Sequence, residues 1–147
     1  MSDFAAHFGL FWISFLAATL LPGSSEAALV ALVASFSASA ITLFLTATSG
    51  NTAGAVFNWW LGRSLNRFTG QRWLPATASR LDQASRMVTR YGSWVLLFSW
   101  LPVVGDPLMI VAGALRMKFV PFLAFVAAGK AARYGVLLAG ADLIARP

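Results

Sequence analysis

The sequence predicts an all-α membrane protein: a single-domain helical bundle over residues 1–147. It combines transmembrane helices, two re-entrant hairpins arranged as an inverted repeat, and a cytoplasmic amphipathic helix. Three observations carry this. The chain is 59% hydrophobic and only 11% charged, with a mean hydropathy of +0.73. Soluble domains carry roughly 25% charged residues, so this chain lacks the polar surface to face water on all sides. Its basic residues bracket apolar segments, as membrane topology requires. Finally, the pattern Leu-Pro, three residues, acid occurs twice, at Leu21–Glu26 and Leu101–Asp106, 80 residues apart. A pass takes about 20 apolar residues, so the length allows at most five or six passes.

In chain order, residues 4–21 form an apolar first helix. Met1-Ser2-Asp3 carries no Lys or Arg, so the stretch lacks the basic n-region of a signal peptide and reads as a retained helix. Residues 22–39 open on Pro22 and Gly23 and read as the first hairpin. Residues 41–62 read as a transmembrane helix. Gly50, Asn51, Gly54 and Gly62 on it make a small-residue face that lets backbones approach, and packing against a hairpin is the expected use.

The next segment is polar. It holds Arg63, Arg67, Arg72, Arg80, Arg86 and Arg90 against one acid, Asp82. So short and basic a loop, residues 63–90, should stay in the cytoplasm. Within it, residues 76–91 have helical spacing, with Leu81, Ala84, Val88 and Tyr91 on one side and Asp82 four residues before Arg86. That pattern suits a helix on the inner leaflet or a solvated connector. Trp59, Trp60, Trp73 and Trp94 flank the loop as an interfacial belt would. Residues 94–115 read as the second hairpin, interrupted at Pro102, Gly105 and Pro107. Residues 119–142 read as the last transmembrane helix.

Proline removes a donor and clashes with the preceding turn, so a straight helix through Pro22 or Pro102 is disfavoured. Broken apolar stretches at matching positions of two halves point to a substrate site in a transporter. A pair of proline-kinked spans is the other reading. With the hairpins, eight of the 11 basic residues fall on the cytoplasmic side, and the halves take opposite orientations.

Four ionisable residues lie within apolar segments: Glu26, Asp106, Lys130 and Arg133. Each costs roughly 2.5–3.5 kcal/mol at a helix centre, so such residues carry a function by default. A carboxyl that passes between apolar and wet surroundings exchanges a proton readily, so Glu26 and Asp106 are candidate proton-coupling groups. The alternative is helix capping at the two breaks, which Ser24 or Ser25 would serve without a charge. Lys130 and Arg133, one turn apart, either pair with the carboxylates at rest or hold a phosphate. Asp142 and His7 are weaker candidates.

Enzyme chemistry is the least supported class. There is one histidine and no cysteine, and no strand–turn–helix setting for a nucleophile or phosphate loop. Neither a metal nor a cofactor is expected. The net charge of +6 follows membrane topology, so nucleic acid is not an expected partner.

At these residues the sequence resembles the DedA family, also called the SNARE-associated or VTT domain family, and in particular its short YqaA-like branch. The stretches that carry the likeness are Leu21–Glu26, Gly50-Asn51-x-x-Gly54 through Gly62-Arg63, and Tyr91-Gly92. Phe98–Pro107, Ala112-Gly113 and Gly129-Lys130-x-x-Arg133-Tyr134 complete the set. The resemblance implies facing re-entrant hairpins in the bacterial inner membrane. It also implies flippase or scramblase activity on phospholipids or polyprenyl phosphates, coupled to protons. An acid near the first hairpin, here Glu26, would handle the proton. Larger members place arginines three residues before and after the second hairpin proline, where this chain has Ser99 and Gly105. The anionic lipid phosphate therefore falls to Lys130 and Arg133. A chain this short leaves room for a homo-oligomer to complete the pathway. The classes that compete with lipid transport are a proton-coupled exporter of small molecules or ions and a structural membrane protein.

Overall fold

Among the described residues every regular element is helical. The structure is a computed structural model and describes residues 3–19, 24–35, 39–65, 75–101 and 105–145. The elements are α1 (Asp3–Ala17), α2 (Ser24–Ser35), α3 (Ala40–Leu65), α4 (Pro75–Tyr91), a 3₁₀ helix (Gly92–Trp100), α5 (Gly105–Ala114) and α6 (Phe119–Ala145). Pro22, Gly23 and Pro102, three of the expected hairpin breaks, lie outside the described residues. Gly105 and Pro107 fall in the first turn of α5, where a proline's missing N–H has no helical partner to lose.

The element bounds repeat. Shifting α2 and α3 by 80 residues gives 104–115 and 120–145, against the observed Gly105–Ala114 and Phe119–Ala145. The duplication seen in two short motifs therefore extends to two whole helices per half.

Residues 22–39 differ from expectation. Ser24–Ser35 is one uninterrupted helix, and it packs against α1. The two-armed element of this half is therefore α1 with α2, and Pro22 and Gly23 stand between the arms in sequence. The second half is alike: the 3₁₀ helix packs against α5, and residues 102–104 separate them. The reason is local. The apolar run after Glu26 contains no residue that would turn the chain, so the helix continues to Ser35. The first helix also ends at Ala17, earlier than expected, with Ala18 and Thr19 in a turn.

Contacts divide the chain into two units, Met1–Gly54 with Lys130–Pro147, and Ala55–Gly129. The first has an apolar core of Leu10, Leu29, Leu43, Ala47 and Tyr134, with Leu32, Val33 and Leu137 packed around it. Its α1 and α3 approach closely. A Cβ on Gly50 would collide with the Phe11 carbonyl, and one on Gly54 would lie 2.6 Å from the Phe15 carbonyl oxygen and 2.7 Å from Ala18 Cβ.

The second unit is cored by Trp59, Ala84, Val88, Leu96, Leu108, Met109, Phe122 and Val126, among others. A reciprocal glycine contact brings α3 and α5 together. Gly62 meets the carbonyl of Ile110, and Gly113 meets the carbonyl of Trp59, each closely enough to leave no room for a methyl group. Trp59 is thereby buried, with ring centroids 5.4 Å from Phe119 and 5.6 Å from Phe122. It is a core residue and not part of an interfacial belt, whereas Trp60 and Trp94 are exposed.

Helix α4 packs on α5 and on the 3₁₀ helix through Leu81, Ala84, Met87 and Val88. Tyr91, expected on the same face, is exposed, and the Arg90 guanidinium lies over its ring at 5.4 Å. Asp82 and Arg86 form an exposed ion pair. The helix stops at Gly92, whose φ of +60° suits the left-handed position after a helix end. At the end of α5 that position is taken by Arg116, φ 55°. Met117 N–H there bonds to the Ala112 carbonyl and Arg116 N–H to the Gly113 carbonyl, both at 2.9 Å.

The surface is apolar where a soluble protein would be polar. Phe4, Phe8, Ile41, Leu45, Trp60, Trp94, Phe98, Val120 and Val136 are all exposed, while Ser14, Ser25, Asn51, Thr52, Asn58, Ser99 and Lys130 are buried. Large exposed apolar area, with polar side chains buried beside the apolar cores, is the arrangement hydrocarbon surroundings favour. Among the described residues one helix, at Phe119–Gly140, is both long enough and apolar enough to cross a membrane.

Candidate functional site

The first unit encloses a polar cluster built from α2, α3 and α6. Ser25 and Glu26 stand in the first turn of α2, where an acid is favoured by the positive end of the helix dipole. Asn51 sits on α3 beside the two close-packed glycines. Lys130 stands one turn before the adjacent Arg133 and Tyr134 on α6.

Two parallel connections tie α2 to α6. Inside, the Tyr134 hydroxyl donates to Ser25 Oγ at 2.8 Å and accepts from Asn51 Nδ2 at 3.0 Å. Tyr134 is only 1% exposed and Ser25 2%. Next to it, Arg133 Nη2 pairs with Glu26 Oε1, and here the side chains are 16% and 26% exposed. The inner connection is neutral and buried; the outer one is ionic, with part of each side chain exposed although Glu26 Oε1 itself is buried. Each helix supplies the two connections from adjacent residues, Ser25–Glu26 and Arg133–Tyr134.

The cluster has spare capacity. Asn51 Oδ1, Thr48 Oγ1 and Thr52 Oγ1 are buried without a hydrogen-bond partner. Exposed hydroxyls of the same helix fold back on its own carbonyls: Thr42 on Ser39 at 2.8 Å, Thr46 on Thr42 at 2.8 Å and Ser49 on Thr46 at 2.9 Å. The inward hydroxyls do not, so α3 presents unsatisfied polar atoms toward the interior.

Of the expected site residues, Glu26 and Arg133 are brought into direct contact. Lys130 is buried on the same helix as Arg133. Asp106 stands in the first turn of α5, in the second unit, at the position Glu26 occupies in the repeat. Gly50, Gly54 and Gly62 lie at close backbone contacts, the first two against α1 and the third against α5. Asn51, read from sequence as a packing residue, is a hydrogen-bonding one. Tyr134 stands in the Gly129-Lys130-x-x-Arg133-Tyr134 motif, which by itself does not mark it as a hydrogen-bonding residue. The usable signal is a tyrosine next to an arginine within an apolar segment, since a buried hydroxyl needs a partner.

The VTT domain matches residues 21–142. The chain is 43% identical over 134 residues to the inner membrane protein YqaA of Escherichia coli, covering 91% of this chain and 89% of that one. The same figures hold for YqaA of Shigella flexneri. An uncharacterized protein of Haemophilus influenzae is 38% identical over 136 residues, covering 88% of this chain and 83% of that one. No solved structure matches. Both the domain match and the near full-length identity show that the chain belongs to the VTT domain (DedA) family.

Proposed function

We propose that this chain is a multi-pass lipid transporter of the bacterial inner membrane, a flippase or scramblase for lipids with a phosphate headgroup. Phospholipids and polyprenyl phosphates both qualify. The observation that carries the reading is the partly exposed Glu26–Arg133 pair inside a membrane-embedded polar cluster. A guanidinium binds carboxylate and phosphate through the same fork of donors, so Arg133 can exchange Glu26 for a headgroup. Lys130, one turn away on α6, adds positive charge to the same path. Protonation of Glu26 removes Arg133's resting partner and so links headgroup binding to protons. Asp106, at the equivalent place in the other repeat, is the second proton-handling group.

The proposed topology follows from length. Helix α1 spans about 22 Å and α2 about 18 Å, both short of the ~30 Å hydrocarbon core. Each pair of short arms, α1 with α2 and the 3₁₀ helix with α5, is a re-entrant hairpin, and the two enter from opposite sides as an inverted repeat. Helices α3 and α6 cross the membrane. The basic segment 63–90, with α4, faces the cytoplasm. The inner-membrane location rests on the E. coli relative's description.

Proteoliposomes carrying labelled phosphatidylglycerol or polyprenyl phosphate test this, with and without an imposed pH gradient. Movement that requires the gradient and fails in Glu26→Gln or Asp106→Asn identifies a proton-coupled carrier. Movement without a gradient identifies a scramblase. If folded protein moves neither lipid, the reading is wrong and a soluble substrate becomes the candidate.

A further inference from the structure

The two connections between α2 and α6 differ in kind, and the difference suggests a division of labour. The ionic one, Glu26–Arg133, is partly exposed and breaks when Glu26 is protonated. The neutral one, Ser25–Tyr134–Asn51, is buried and joins hydroxyl and amide groups rather than charges. We infer that Tyr134 is a positioning residue: its hydroxyl pins the first turn of α2 to α3 and α6, so the Glu26–Arg133 pair opens and closes while the helices stay at fixed spacing. Arg133 is then the moving part, a side chain swinging between a carboxylate and a lipid phosphate, and no helix displacement is needed to expose it. This inference rests on the reading of Arg133 as the headgroup-binding cation.

The packing supports it. Tyr134 belongs to the apolar core with Leu29, and Leu32, Val33 and Leu137 pack around it, so its ring is fixed and its hydroxyl is held in place. Asn51 is fixed in turn by the close approach of α3 to α1 at Gly50 and Gly54. The pin thus joins α2 to elements that are themselves immobilised. The other charged or titratable groups with described side chains on the elements of this unit are Lys130 on α6 and Asp3 and His7 near the start of α1. His7 Nδ1 lies 2.7 Å from the Asp3 carbonyl oxygen.

Spin-label distances between α2 and α6 test the inference without any transport assay. The chain has no cysteine, so Ala27→Cys and Val136→Cys, both at exposed positions, take the only labels. A His7→Gln background removes the one histidine from the pH response. In the parent, the distance distribution should be the same at neutral and acidic pH, and Glu26→Gln should leave it unchanged. Tyr134→Phe, which keeps the ring and loses only the hydroxyl, should match the parent at neutral pH and broaden on acidification. The double variant Tyr134→Phe/Glu26→Gln should be broad at every pH. Losing one such hydrogen bond raises the separated population by about fivefold.

Two results would overturn the inference. Broadening in Glu26→Gln alone would make the ion pair the structural tie. A double variant that stays narrow would mean that neither connection sets the spacing. Because the readout is a distance, it stands whether or not the protein moves lipid, and the proteoliposome assay fails or succeeds separately.

Discussion

Replacing Gly113 or Gly62 by valine should prevent the second unit from folding. The added Cβ of each would occupy the place of a backbone carbonyl, Trp59's in the first case and Ile110's in the second. A backbone atom cannot rotate aside as a side chain can. Forced overpacking costs about 1–3 kcal/mol where neighbours can shift, and here the upper end or beyond applies. Even alanine should lower the melting temperature in detergent at either site. Because both glycines serve one contact between α3 and α5, the double alanine variant should lose less stability than the two single effects summed. Gly9 and Gly140 are helical glycines with nothing near the place of a Cβ, so alanine there should be neutral or stabilising by up to about 1 kcal/mol. Melting curves that ranked Gly9→Ala with Gly113→Ala would contradict the close approach.

The second large effect concerns the polar cluster. Removing one partner of a buried ion pair costs about 3–5 kcal/mol because the other charge is stranded. Partial exposure of Glu26 and Arg133 brings the expected loss to about 2 kcal/mol for Glu26→Gln or Arg133→Gln. Neutralising both should recover most of that loss, since no stranded charge remains and the Ser25–Tyr134–Asn51 connection persists. Thermal unfolding of the four proteins gives the coupling directly. A double variant as unstable as the sum of the singles would mean that the two residues do not act as a pair.

How far the sequence went is clear from particular residues. The 80-residue repeat anticipated matching helix bounds in the two halves, whereas Pro22 and Pro102 lie outside the described residues. Ser24–Ser35 was harder, because an apolar run with no internal breaker reads equally as a hairpin limb or as part of a span. Periodicity cannot reveal that such a helix takes α1 as its partner. Trp59 beside a basic loop had the appearance of an interfacial residue. Its burial depends on Gly62 and Gly113 meeting across α3 and α5, a long-range pairing with no local signal. The ionisable residues were legible because charge in an apolar segment is conspicuous. Which acid meets which cation was not, since Glu26 and Arg133 come together only through the packing of α2 on α6. Tyr134 and Ser25 are ordinary residue types in such a chain, and only their mutual distance reveals the link.

In the proposed function, the Glu26–Arg133 pair is where a lipid headgroup is handled. Its most direct test is the lipid-movement rate of the neutral double variant Glu26→Gln/Arg133→Gln, reconstituted beside the unsubstituted protein. The double variant should melt close to the unsubstituted protein yet move labelled phosphatidylglycerol at least about tenfold more slowly, the cost of a lost charged contact to the headgroup. Equal rates in two equally folded proteins would contradict it.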